Sequence, residues 1–149
     1  MNKIVIFDLD GTLALIDKRR QISTKDNGKM DWDKFFDPKN ISLDQPNQPV
    51  IDMANMLSKQ GYTIMILSGR SDVTHQATRD WLNKHGVWFD TLTMRTQHFR
   101  FTKDSDLKQM WLDSIGKDNV AMVFDDRQQV VDMWRQNGLT CFQVADGNF

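Results

Sequence analysis

The sequence predicts an α/β protein, a Rossmann-like open parallel sheet of about five strands with helices on both faces. Three observations carry that reading. Short apolar runs recur along the chain and mostly do not alternate with polar residues, as strands buried on both faces do. Stretches of helical period separate these runs, and four of them are closed by glycine. The chain has 149 residues, the length of a single domain with a substantial core, so one domain is expected over residues 1–149.

The first apolar run, Ile4–Phe7, is rich in β-branched residues and stops at Asp8, which reads as a buried strand. Residues 16–48 break the rhythm. Pro38 and Pro46, the aromatics Trp32, Phe35 and Phe36 and many polar residues predict a partly ordered insertion above the first strand end, in place of a large cap. Residues 50–60 put Val50, Met53, Ala54 and Leu57 on one helical face, with Pro49 near the start and Gly61 just past the end. Residues 62–67 predict a strand, and 72–85 a helix whose Val73, Ala77, Trp81 and Leu82 share a face before Gly86. A weaker strand is expected at 91–94. Residues 104–115 present Leu107, Met110, Trp111 and Ile115 before Gly116, and 120–124 read as another buried strand. A last helix at 127–137, with Val130, Val131 and Trp134 before Gly138, leads to a strand at 140–144. Met53, Met110, Trp81, Trp111 and Trp134 fall on apolar helical faces and are expected in the core. Right-handed crossovers set the strand C-termini along one edge, where such sheets bind ligands.

Composition excludes several classes. Nineteen Lys and Arg against twenty Asp and Glu give a net charge of −1, which argues against a strongly basic nucleic-acid wrapper while leaving room for a local basic groove. The single cysteine, Cys141, rules out an internal disulfide framework and a multi-cysteine metal site. The apolar run at the N-terminus is too short for a signal core or a membrane span, so a soluble, cytoplasmic chain without membrane contact is expected.

The strongest chemical signal is Asp8-Leu9-Asp10-Gly11-Thr12, directly after the first strand. Carboxylates at i and i+2 of an extended chain point the same way, and crowded carboxylates imply a bound cation or a raised pKa. Ser68-Gly69-Arg70 follows the strand at 62–67, where a hydroxyl and free backbone N–H groups suit a phosphate oxygen. Asp104 is placed to cap the helix it opens, and Lys108 lies one turn further on, within reach of an anionic centre. Asp125-Asp126 is a second acidic pair at a strand end. An oxygen-rich carboxylate set selects a hard cation, Mg²⁺ first.

Together these pieces resemble the haloacid dehalogenase-like phosphohydrolases, Asp8 and Asp10 matching that family's first motif, Ser68 the second, Lys108 the third and Asp125-Asp126 the fourth. A closer similarity is to the phosphatase domains of phage polynucleotide kinase/phosphatases. It rests on the strand end running into Ser68-Gly69-Arg70, on Asp125-Asp126-Arg127 through Met133-Trp134-Arg135, and on the stretch from Cys141 to Phe149. The resemblance implies a Mg²⁺-dependent phosphomonoesterase working through an aspartyl-phosphate. Asp8 would be the nucleophile and Asp10 the acid and base. Asp8, the Asp10 backbone carbonyl and either Asp125 or Asp126 would hold the metal, with Thr12, Ser68 and Lys108 on the phosphoryl oxygens. Arg19, Gly69, Arg70 and Arg95 would contact a phosphorylated substrate, taken as a DNA or RNA 3′ end. With Lys18, Arg20, Arg79 and Arg100 the arginines would form a groove, and His98, Phe99 and Phe101 could stack bases. The chain departs from the phage domain between Met94 and Asp104, where its loop is shorter, which bears on substrate breadth more than on chemistry.

Two other readings share parts of this pattern. A nucleotidase or small-phosphomonoester phosphatase would use the same chemistry. A non-catalytic phospho-acceptor of the receiver type would also use an aspartate, acidic metal ligands and a lysine. Such a module places its acidic pair after the first strand and its acceptor on a later one, and here the acid two residues after Asp8 favours an enzyme.

Overall fold

In the computed structural model, which describes residues 3–149, the five expected strands form one parallel sheet. They are β1 (Ile4–Phe7), β4 (Thr63–Ser71), β5 (Thr91–Arg95), β6 (Val120–Asp125) and β7 (Cys141–Gln143), in the order β5-β4-β1-β6-β7. Two further two-residue strands, β2 (Ala14–Leu15) and β3 (Gln45–Pro46), pair antiparallel outside it. The principal helices are α3 (Gln48–Lys59), α4 (His75–Lys84), α5 (Asp104–Ile115) and α6 (Gln128–Gln136).

Strand alternation shows why the runs are continuously apolar. Val5, Phe7, Ile64, Ile66 and Phe124 point to one face and pack with Val50, Ile51 and Ala54 of α3 and Trp81 and Leu82 of α4. Ile6, Leu67 and Val123 point to the other face, against Leu112 of α5 and Val130, Val131 and Trp134 of α6. Helices cover both faces, and each fully buried Leu, Ile or Phe contributes about 1.5–3 kcal/mol of transfer free energy. The chain runs outward from β1 through β4 to β5, then returns through α5 to β6 and β7, so the winding reverses between β1 and β6. Register sets Phe7 level with Ile66 of β4 and Phe124 of β6, so Asp8 emerges at that reversal, beside the ends of both neighbours.

Several boundaries differ from the sequence reading. β4 runs on to Ser71, so Ser68-Gly69-Arg70 lies inside the strand, at an irregularity where Met94 pairs with Ser68 and Arg95 with Ser71. A short 3₁₀ turn, Asp72–Thr74, precedes α4, and Val73 stands in solvent instead of on the apolar helix face. Asp104 is the first residue of α5, not its cap, because its carboxylate is drawn to Arg95. Trp81 and Trp134 are buried as expected, whereas Met53 and Met110, 37% and 42% exposed, stand outside the core.

Residues 16–48 are more regular than their composition suggests. They form α1 (Asp17–Ser23), α2 (Trp32–Phe35) and a 3₁₀ helix (Pro38–Leu43) before β3. Phe35 and Ile41 insert into the α3/α4 core, and the Trp81 indole donates to the Asp44 carbonyl at 3.0 Å, tying the segment to the sheet layer.

Candidate active site

Asp8, Asp125 and Asp126 meet at the sheet edge, each offering a carboxylate oxygen within 4.8 Å of the others. The strand ends explain the convergence: Asp8 follows β1, Asp125 ends β6, and the backbone N–H groups of Asp126 and Arg127 donate back to Asp125 Oδ1 at 2.8 and 3.3 Å, turning the loop. Gly11 has φ +82, and a side chain there would collide with the Asp126 carboxylate, so the Asp-Gly-Thr turn closes over the acids only with glycine. Lys108, one turn into α5 and 1% exposed, donates to Asp8 Oδ1 at 2.8 Å and to Asp125 Oδ2 at 3.2 Å. The Trp134 indole N–H also donates to Asp125 Oδ2, at 3.1 Å. Thr12 Oγ1 lies between Asp8 Oδ2 (3.4 Å) and Asp126 Oδ1 (3.3 Å).

The electrostatics of this cluster call for a cation. Burial, then the neighbouring Asp125, pushes the Asp8 carboxyl well above its usual range, against the pull of Lys108. Burial likewise raises Asp126. Burial alone would favour a neutral Lys108, but Asp125 and Asp8 outweigh it and hold the ammonium charged. One lysine facing three carboxylates leaves an excess of negative charge, and an all-oxygen donor set of this kind fits a hard divalent ion. A group whose folded pKa is raised favours the fold below the ordinary carboxylate value and loses that contribution as pH rises toward the raised value. Without metal, Asp8 and Asp126 therefore lower stability progressively above about pH 4. Millimolar Mg²⁺ is expected to raise the melting temperature, and by more near neutral pH than near pH 5. A rise that is equal at both pH values, or absent, would rule out these acids as the ligands.

Asp10 stands apart from the triad. Its Oδ1 accepts from Arg19 Nη2 at 2.9 Å and from Arg70 Nε at 2.8 Å. Burial works to raise its pKa, but the Arg70 and Arg19 guanidiniums prevail and hold it below the usual value. Behind the arginines lies Asp44, which accepts from Arg19 Nε at 3.0 Å and Arg70 Nη2 at 2.7 Å. Burial lifts Asp44 to about 6 despite both guanidiniums.

Over these groups opens a cleft of about 1500 Å³, lined by Asp8, Asp10, Ser68 and Gly69 at its base. Ser68 is buried, and its Oγ accepts from the Arg70 N–H at 3.1 Å. A side chain at Gly69 would strike the Asp104 carboxylate, so the strand passes α5 closely there. Cationic side chains at the mouth come from Arg20, Arg100, Lys103 and Arg127, with Trp32 60% and Phe101 88% exposed beside them.

Asp8, Ser68, Lys108, Asp125 and Asp126 are thus brought together, with Thr12 bridging two of the acids. Of the expected substrate arginines, Arg70 and Arg95 line the cleft while Arg19 does not. Arg19 and Arg70 are buried and already paired with Asp10, Asp44, the Phe35 carbonyl and Thr78. Arg95 is likewise engaged, through Nε with the Gly69 carbonyl (2.9 Å), through Nη1 with the Phe99 carbonyl (2.6 Å) and through Nη2 with Asp104 (2.9 Å), and braces the loop after β5. Arg79 lies over Phe89, away from the groove. Asp44, Thr78 and Trp134 join the site without a signal in the sequence. An acid in a polar segment, a threonine on a helix and an apolar-face tryptophan carry no local mark of a partner across the fold.

A reversed parallel sheet with an aspartate pair after its first strand, a serine on the second, a buried lysine and an acidic pair on the fourth defines a haloacid dehalogenase-like phosphatase. The model of the polynucleotide kinase PNKP phosphatase domain family matches residues 2–149, and the chain belongs to that family. It is 34% identical over 152 residues to a protein of Autographa californica nuclear polyhedrosis virus described as a putative bifunctional polynucleotide kinase/RNA ligase, covering 96% of this chain and 19% of the viral one. It is 37% identical to a chain of the Pnkp1/Rnl/Hen1 RNA repair complex, with a TM-score of 0.79, covering 100% of this chain and 44% of that chain. The sequence thus spans about half or less of these relatives. The same fold recurs, at 14% identity and a TM-score of 0.59, in a HAD family enzyme from Bacteroides thetaiotaomicron solved with magnesium and inorganic phosphate, over 96% of this chain and 94% of that one. No helix among the described residues is long and apolar enough to cross a membrane.

Proposed function

We propose that residues 1–149 form one phosphatase unit that removes the 3′-phosphate from polynucleotide ends, with Mg²⁺ at Asp8, the Asp10 backbone carbonyl and the Asp125-Asp126 pair. The observation that carries the reading is a buried, lysine-held Asp8 at the floor of an open cleft whose mouth bears cations and exposed aromatics. Asp8 attacks phosphorus, and the ester P–O bond breaks as Asp10 gives its proton to the departing oxygen. Arg70 and Arg19 keep Asp10 ionised in the free protein, and it carries that proton once the anionic phosphoryl group lies beside it. Asp10 then takes a proton from water, which attacks the same phosphorus and breaks its bond to Asp8, releasing inorganic phosphate and restoring both carboxyl groups. Lys108 and Thr12 hold Asp8 in line, while Ser68 and the Gly69 backbone offer donors to phosphoryl oxygens. The metal, when bound, neutralises charge between the acids and the phosphoryl group.

An open cleft suits a polymer end better than a metabolite sealed from water. Arg20, Arg100 and Lys103 can track a phosphate backbone, and Trp32 and Phe101 can stack bases. The relatives described above, one a polynucleotide kinase/RNA ligase by description and one part of an RNA repair complex, support a nucleic-acid substrate. Rates on a 3′-phosphorylated oligonucleotide, its 5′-phosphorylated isomer and free nucleoside monophosphates test the proposal. The 3′ end is expected to be favoured by about tenfold or more, and the preference over nucleotides to weaken as salt rises. Equal rates on the oligonucleotide and free nucleotides would point to a nucleotidase instead.

A further inference from the structure

The segment from α1 to β3 delivers two charged groups beneath the acid–base residue. Arg19 on α1 and Arg70 on β4 each span two carboxylates, Asp10 toward the cleft and Asp44 behind it. The Asp10 side chain is 24% exposed, whereas those of Asp44 and both arginines have no exposure. Asp44 itself is well fixed. It ends the Pro38–Leu43 3₁₀ helix, its N–H donates to the Ile41 carbonyl at 3.1 Å, and its carbonyl accepts from Trp81. Arg70 Nη1 is taken up by Thr78 Oγ1 at 2.9 Å. Two guanidiniums and two carboxylates are matched in number, and Asp44 has no part in the chemistry described so far.

A fork held at both ends has one orientation, while a buried guanidinium that loses an anchor turns to the carboxylate that remains. We propose that Asp44 is a positioning residue for proton transfer, anchoring Arg19 and Arg70 from behind so that the Asp10 carboxyl faces the leaving-group oxygen. The inference rests on the reading of Asp10 as proton donor. Without Asp44, both guanidiniums close on Asp10 and draw it off that line. The step that suffers is delivery of the Asp10 proton as the ester P–O bond breaks. A leaving group that departs as a stable anion needs no such proton.

The test compares wild type and Asp44→Asn by kcat/KM on a 3′-phosphorylated oligonucleotide and on p-nitrophenyl phosphate, with Mg²⁺ at neutral pH. This parameter is insensitive to the later hydrolysis of the phospho-enzyme, because the leaving group has already departed. The oligonucleotide is expected to lose about 10²-fold, as when a catalytic group is misplaced by an ångström, and p-nitrophenyl phosphate under about threefold. Equal losses on both substrates would mean a structural role and overturn the proposal, as would unchanged rates. Thr78→Val, which removes the acceptor of Arg70 Nη1, provides the same comparison should Asp44→Asn not fold. It is expected to show a smaller loss with the same selectivity, and an even loss overturns the proposal. A wild type that cleaves p-nitrophenyl phosphate but not the oligonucleotide contradicts the proposed substrate. An alkyl phosphate then takes the oligonucleotide's place, where a selective loss supports the role of Asp44 and an even loss overturns it. A wild type that cleaves neither overturns both.

Discussion

Asp8→Asn is expected to abolish turnover, by about 10⁴-fold or more, the loss that follows removal of a catalytic nucleophile. A carboxamide cannot form the acyl phosphate at a useful rate, and Asp10, Lys108 and the acidic pair then surround a phosphate they cannot transfer. The fold should survive. The carboxamide oxygen introduced at position 8 can still accept from Lys108, and the substitution removes one of three crowded carboxylates at a point where burial and Asp125 oppose ionisation. Metal-free Asp8→Asn should therefore melt at or above the wild-type temperature near neutral pH, while its gain on adding Mg²⁺ should shrink. Two measurements separate the possibilities: initial rates on the 3′-phosphorylated end, and melting with and without Mg²⁺. Near-wild-type rates would remove Asp8 as nucleophile. A loss of several degrees without metal would instead make it a structural residue.

Such a combination, inactive yet more stable, is what a strained functional site produces, and it also explains which parts of the site can be read from the chain. Asp8, Ser68, Asp125 and Asp126 stand where an apolar run of strand character gives way to polar residues, and that transition is local. Lys108 is one turn inside a helix whose apolar period is also local. The five strands and four principal helices emerge from the same periodicities, with errors of a few residues at their ends.

What stays hidden depends on pairing at a distance. Arg19 and Arg70 read as substrate groups because each follows a motif at the spacing of the resembled phosphatases and a guanidinium fork suits phosphate. Nothing near either one announces Asp44, 25 and 26 residues away in the polar segment. The Trp134 indole reads as core, which it is, but its N–H reaches Asp125 from the far end of the same βα unit. The extension of β4 to Ser71 escapes the sequence for a related reason. Ser68-Gly69-Arg70 has turn composition, and β5 resumes pairing with β4 only at Ser71, beyond the irregularity.

Lys108→Met should be the most destabilising single change at the site. The ammonium group is 1% exposed and bonded to Asp8 and Asp125, so its removal leaves three buried or nearly buried carboxylates with no side-chain cation among them. Breaking a buried pair in this way costs about 3–5 kcal/mol, more than its methylene packing, which methionine largely preserves. The pH dependence gives the claim its sign. In the variant the Asp8 pKa, already raised by burial, rises further because the opposing pull of Lys108 is gone. The unfolded chain ionises near the ordinary carboxylate value and the folded one only at higher pH. Stability is therefore lost as pH climbs through that window, and the gap to wild type widens from about pH 4 toward neutrality. Adding Mg²⁺ should close part of the gap, since a divalent ion supplies the missing positive charge, whereas activity should remain down by about 10²-fold because an ion between the acids does not replace a donor on Asp8 and the phosphoryl group. Urea unfolding of both proteins at two pH values, each with and without Mg²⁺, reads the stability effects, and initial rates read the last. A deficit independent of pH and unaffected by the metal would assign Lys108 to packing alone.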